Sequence, residues 1–167
     1  MALSRVGEPR ERGPKAPFIR RLKPQETYHA IVLCREPFCC YTHWLPKIQA
    51  TMPCLSHRDQ DGTVIDDTDC EYCQQRMPER WRAYIHVWAG QVEREEFLEL
   101  TWRCWSAAKA FLPLGFVLRG WQLQARKDKG VKTKTHVRLE PPGRGMDADR
   151  LPPEKTPEKA FENTMIL

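Results

Sequence analysis

Apolar and polar positions alternate most cleanly late in the chain. Leu118–Lys127 sets Trp121, Leu123 and Ala125 against Gln122, Gln124 and Arg126. Val131–Glu140 sets Val131, Thr133, Thr135, Val137 and Leu139 against Lys132, Lys134, His136 and Arg138. A period of two separates the faces of a strand, so the runs predict a hairpin turning through Asp128-Lys129-Gly130, apolar on one face and basic on the other. Upstream, Thr27–Cys34 (TYHAIVLC) has the β-branched and aromatic content of a short buried strand, broken by Glu36-Pro37-Phe38. Trp81–Ala89 alternates Tyr84, His86 and Trp88 with Ile85 and Val87, and Glu96–Trp102 places Leu98, Leu100 and Trp102 on one side. Between these strands and the hairpin, Trp105, Ala108 and Leu112 recur at i, i+3 and i+7, predicting a helix over Cys104–Leu112 that Pro113 ends.

Five short strands with one helix before the last two predict a mainly β fold, a small OB-fold-like barrel whose helix plugs the open end. SH3-like barrels and zinc-ribbon sheets are the competing architectures. Three segments follow: a flexible basic arm over residues 1–24, the barrel over 25–140 with an insertion at about 39–74, and a Pro-rich flexible tail over 141–167. Within the insertion, Cys39–Ile48 reads as a linker carrying Trp44. Gln74–Arg80 reads as a short turn or helical cap.

The insertion holds the chemistry. It carries Cys54-x-x-His57 and, after a polar interval, Cys70-x-x-Cys73. Each pair can meet at one tight turn, and two such turns complete a tetrahedral thiolate and imidazole set of the kind that Zn²⁺ favours. Asp59, Asp61, Asp66, Asp67 and Asp69 raise calcium as the rival ion, but Asp59-x-Asp61-Gly62 lacks the spacing and closing Glu of an EF-hand loop. Cys54, Cys70 and Cys73 are the three fixed members. The fourth is His57, adjacent in sequence, or His43, folding back from upstream; Cys34, Cys39 and Cys40 are weaker candidates. Cys34 and Cys104 read as small buried residues.

A chain of 167 residues, 41% apolar, can bury one core but not two. Seven clustered cysteines suit a metal in a reducing compartment better than a paired secreted framework. The N-terminus has no apolar signal-peptide core and no run approaches a membrane span, so a cytoplasmic protein without membrane attachment is expected. The net charge of +5 is unevenly spread, with basic runs in residues 1–24 and 119–138. Two such runs on an otherwise balanced chain point to a polyanionic partner. Catalysis is not expected. There is no His-x-Glu ahead of a Pro-Cys-x-x-Cys, no HExxH, no GxSxG and no Walker loop. Four protein ligands also leave a metal no open position for water.

Single-stranded nucleic acid needs a cationic groove for phosphates and aromatic faces for unstacked bases. The six Trp and four Tyr are interleaved with cations. The candidate binding residues are Tyr84, Trp88 and Trp121 for stacking, with Arg82, Arg119, Arg126, Lys132, Lys134 and Arg138 for phosphate. Trp102 and Trp105 are expected in the core. DNA is the expected ligand, with RNA as the other source of the same chemistry, and the tail is the segment left for protein partners. The alternative is a zinc-ribbon adaptor for protein or duplex nucleic acid.

Several of these stretches share an order with a known family. AIVLC, then Cys70-x-x-Cys73-Gln74, then Trp81-x-Ala83-Tyr84-Ile85-x-Val87 resembles the single-stranded DNA-binding protein family of T-even phages. EEFLELTWRCWSAAKAFL resembles that family's strand and basic-aromatic helix, and RGWQLQARK its later barrel strand. The resemblance spans Tyr28 to Glu140. It implies an OB-fold with an inserted zinc subdomain, binding of single-stranded DNA with little sequence preference, and a role in DNA replication, recombination or repair. It also implies a zinc set mapping onto His43, Cys54, Cys70 and Cys73, which raises His43 to parity with His57. The family's acidic C-terminal domain has no counterpart in residues 141–167. Its N-terminal cooperativity segment has none in residues 1–24, so filament formation and partner recruitment are not carried over.

Overall fold

A computed structural model describes residues 18–130 and 134–164. Ten strands form among these residues: β1 (Phe18–Arg20), β2 (Thr27–Val32), β3 (Phe38–Leu45), β4 (Ala50–Pro53), β5 (His57–Arg58), β6 (Val64–Asp66), β7 (Glu79–Ala89), β8 (Arg94–Thr101), β9 (Gln122–Lys127) and β10 (Thr135–Glu140). The helices are α1 (Glu71–Gln74), α2 (Trp102–Lys109) and α3 (Glu158–Thr164). The fold is mainly β. Eight strands share one sheet in the order β1-β8-β7-β2-β9-β10, with β3 and β4 branching from β7, and this sheet does not close into a barrel among the described residues. The strands β5 and β6 pair separately.

The long strand β7 organises the rest. One edge pairs with β8 from Arg82 to Ala89. The other is shared, with β3 against Glu79–Tyr84 and β2 against Val87 and Trp88. Alternation along these strands builds the core: Tyr28, Ala30 and Val32, then Ala83, Ile85 and Val87, then Leu98 and Leu100, then Leu123 and Ala125, all on one face. The helix α2 covers this face with Cys104, Trp105 and Ala108, and its N-cap Thr101 accepts from the Cys104 amide at 3.3 Å. Fully burying a side chain such as Ile85 or Leu98 contributes about 1.5–3 kcal/mol. Glu96 is also buried, its carboxylate satisfied by the Tyr28 hydroxyl at 2.7 Å and by Arg94 at 2.7 Å.

Four expectations are corrected. Cys39–Ile48 is not a linker, since Phe38–Leu45 pairs with both β4 and β7. Of the basic arm, Phe18–Arg20 is a strand parallel to β8 and Leu22 is buried; residues 1–17 lie outside the described residues. Leu118–Trp121 turns rather than extends, with Gly120 at φ +87° where an L side chain would be strained. The tail is not free: the Arg119 guanidinium donates to the carbonyls of Ala148, Leu151 and Pro152, and Ala160 and Phe161 are buried against Tyr84 and Phe97. No helix among the described residues is long and apolar enough to cross a membrane.

Candidate metal centre and nucleic-acid interface

The antiparallel pairing of β3 with β4 sets Thr42 against Pro53, and the Cys54 amide donates to the Tyr41 carbonyl at 2.8 Å. Cys54 is thereby delivered beside His43. From the other side α1 carries Cys70 at its N-cap and Cys73 in its single turn. One ligand atom each from His43, Cys54, Cys70 and Cys73 falls within 4.8 Å of all the others. His43 Nε2 lies 3.5 Å from Cys70 Sγ and 3.4 Å from Cys73 Sγ, and Cys54 Sγ lies 3.5 Å from Cys73 Sγ. Bonds of about 2.3 Å to sulfur and 2.0–2.1 Å to nitrogen make tetrahedral edges of about 3.5–3.8 Å, so the cluster fits a metal ion of zinc's size.

The surroundings fit as well. His43 is fully buried and its Nδ1–H donates to the Pro78 carbonyl at 3.3 Å, which leaves the Nε2 lone pair for the cluster. Burial opposes ionisation of all three thiols. At Cys54 the hydrogen bonds from Ser56 and Arg58 outweigh it, and at Cys70 the backbone amides of Cys73 and Leu55 do, so both fall below the ordinary thiol value. Cys73 is pushed up to about 11, by burial first and then by the two neighbouring thiols. Three thiolates around a dication would carry a net charge of −1, and the Arg58 guanidinium stands 3.6 Å from Cys54 Sγ to meet it. Arg58 is itself fixed by its ion pair with Glu79 and by the Tyr41 ring 3.8 Å below it.

His57 lies outside the cluster. It is exposed on β5, paired with Asp69 at 2.8 Å. The acids of the interval serve turns: Asp59 Oδ1 accepts from the amides of Asp61 and Thr63, and Asp66 Oδ1 from that of Thr68. Cys34, Cys40 and Cys104 stand apart from the four clustered side chains, their thiols raised by burial, Cys34 and Cys40 to about 12 and Cys104 to about 11.

The expected nucleic-acid residues divide. On the face of the sheet opposite α2, register aligns three rows. Trp88, Ile31, Gln122 and Glu140 form one, His29, Gln124 and Arg138 the next, and Thr27, Arg126 and His136 the third. Trp88 is half-buried and lines an open groove of about 290 Å³ with His29, Ile31, Gln122 and Gln124. Arg126, Lys134 and Arg138 are exposed beside it, Arg138 paired with Glu140 at 2.9 Å. Lys132 lies outside the described residues.

The remaining members are not on this open surface. Tyr84 is 1% exposed, its ring edge-on to Phe161 at 5.1 Å and its hydroxyl donating to Glu99 at 2.9 Å. It shares the face of Trp88 as expected, but the segment ending in α3 covers that half. Arg82 is turned to Glu99 at 3.6 Å. Arg119 is used on carbonyls, including that of Leu33 at 2.5 Å. Trp121 packs partly buried on the core. Trp105 is buried as expected, whereas Trp102 is 58% exposed. His29 was not singled out in the sequence, although a polar residue at an outward position of a paired strand is a legible signal. No family model, curated protein or solved structure matches this chain.

Proposed function

We propose that this protein binds single-stranded nucleic acid, DNA in the first instance, on the open half of its sheet, with zinc as a structural ion in the His43–Cys54–Cys70–Cys73 cluster. The observation that carries the reading is the alignment of Trp88, His29, Gln122 and Gln124 with Arg126 and Arg138 across four hydrogen-bonded strands. Three strand spacings put the indole about 15 Å from Arg138 on β10, a distance that a few nucleotides span. An unpaired base on Trp88 gains about 1–3 kcal/mol from stacking. The carboxamides of Gln122 and Gln124 each offer donor and acceptor, which suits any base edge and hence little sequence preference. In a duplex the base faces are already stacked and cannot reach the groove.

The strand order supports an OB-fold reading: β2, β7 and β8 run consecutively, α2 follows, and β9 returns to pair with β2 before β10. Four protein donors fill a tetrahedral shell, so the metal would hold the β3–β4 and α1 segments together rather than act on a substrate. A role in replication, recombination or repair belongs to this reading. The adaptor reading draws on one observation, the exposed Leu55 and Ile65 of the metal subdomain, at 60% and 70%. Titration of the whole chain with single-stranded and duplex oligonucleotides, followed by tryptophan fluorescence, separates the two. Tighter, quenching, salt-sensitive binding of single strands is expected, and equal affinity for duplex would favour the adaptor.

A further inference from the structure

A second aromatic site lies at the other end of β7. Trp102, the first residue of α2, meets Trp81 edge-on with ring centroids 5.1 Å apart and planes at 85°. Trp81 is itself packed against the core, so the Trp102 ring is held while more than half of its surface stays in water. A single exposed Trp needs no explanation. What distinguishes this one is its company. Arg103, next on the helix, is exposed and has no ion pair among the described residues. The strand is also fixed at this end, because His43 of the metal cluster pairs with Glu79 in register, Thr42 with Arg80 and Tyr41 with Trp81.

We infer that Trp102, with Arg103, is a second stacking station for single-stranded nucleic acid, taking a base on the indole and a phosphate on the guanidinium. The inference rests on the proposed function and extends it from one contact to two. A rigid aromatic face costs little to order on binding, and an unpaired arginine beside it supplies both a phosphate contact and stacking surface. Seven residues of strand, about 23 Å at the usual rise, separate Trp81 from Trp88, and the two indoles lie on opposite faces of the sheet, so a strand must pass round its edge to touch both stations. A short oligonucleotide therefore reaches one station, and a long one reaches both.

The test uses the full zinc-loaded chain and unstructured oligonucleotides of about 4 and about 16 nucleotides, the ends of the usual site-size range. Trp102→Ala is expected to weaken binding of the long oligonucleotide roughly 5- to 150-fold, the span of one base stack, and Trp102→Phe to restore most of it. Arg103→Glu is the second variant. It is expected to weaken long-oligonucleotide binding and to lower the slope of log affinity against log salt by at least about 0.7. Circular dichroism and zinc content are measured on each. If both variants keep fold and zinc and bind the long oligonucleotide like the parent while Trp88→Ala weakens it, the second station is overturned and the proposed function stands. If the parent binds neither length, both fall together.

Discussion

Replacing His43 by Ala, beside His57 by Ala, probes the metal centre by its least local member. His43 is fully buried, its Nε2 within 3.5 Å of two sulfurs and its Nδ1–H on the Pro78 carbonyl. A structural zinc site contributes about 10–16 kcal/mol of apparent binding energy. Divided evenly over four ligands, that is about 3–4 kcal/mol for the imidazole, or roughly a hundred- to thousandfold in zinc affinity. Losing the hydrogen bond to Pro78 adds about 1 kcal/mol to the destabilisation. By contrast, His57 makes one exposed ion pair with Asp69, a class worth about 0–1 kcal/mol, and touches none of the four donors. The assay is competition for zinc with a chromophoric chelator, supported by the visible spectrum of the cobalt-substituted protein. His43→Ala should lose affinity by that factor and His57→Ala should match the parent. Parental affinity in His43→Ala, or a large loss in His57→Ala, would refute the assignment.

Other outcomes follow from the covered half of the sheet. His86 is buried, with Nε2 3.0 Å from Glu95, Nδ1 accepting from the Lys155 amide at 3.2 Å, and Glu154 and the Lys155 ammonium close by. Burial above all holds its pKa below the ordinary histidine value, so the folded state prefers the neutral ring. The unfolded chain then takes up the proton first, and stability should fall as pH drops below about 6.5. Chemical denaturation at pH 7.5 and at 5.5 should show that loss, and His86→Gln should reduce it; a pH-independent parent would contradict the packing described. Arg119→Ala strips the donor from four carbonyls, at about 1–3 kcal/mol for each left unpaired. It should lower Tm and leave the salt slope of binding unchanged. Lys134→Ala should do the reverse, with Tm kept and the slope reduced by about 0.7.

What was legible in the sequence follows from how local each signal is. The spacing of Cys54, Cys70 and Cys73 picks out three of the four clustered donors because two short turns make it. His43 joins them only through the pairing of β3 with β4 and β7, and no local pattern distinguishes it from His57. Period-two alternation gave the faces of β9 and β10 correctly: Leu123 and Ala125 are buried, and Gln122, Gln124 and Arg126 are exposed. On β7 the same rule sorted the faces but not their exposure. Ile85 and Val87 point into the core, while Tyr84 and His86 on the other side are buried too, because Phe161 and Lys155 reach them from far along the chain. A strand apolar on both faces signals a second covering layer. The Pro-rich composition of residues 141–157 concealed that layer, and Arg119, a residue that reads as a phosphate contact, fastens it. Trp102 reads as core by its alternation with Leu98 and Leu100, but α2 begins at Trp102 and turns the ring outward.

The measurement that bears most directly on the central claim is the affinity of Trp88→Ala for an unstructured single strand at fixed salt. Trp88 is half-buried on the open face, and Tyr84 lies beneath α3 on the same side of the same strand. With fold and zinc content held at parental values, Trp88→Ala should weaken binding by about 1–3 kcal/mol and remove the larger part of the fluorescence quench, with little change in salt slope. Parental affinity and quenching in that variant would contradict the claim that this half of the sheet binds unpaired bases.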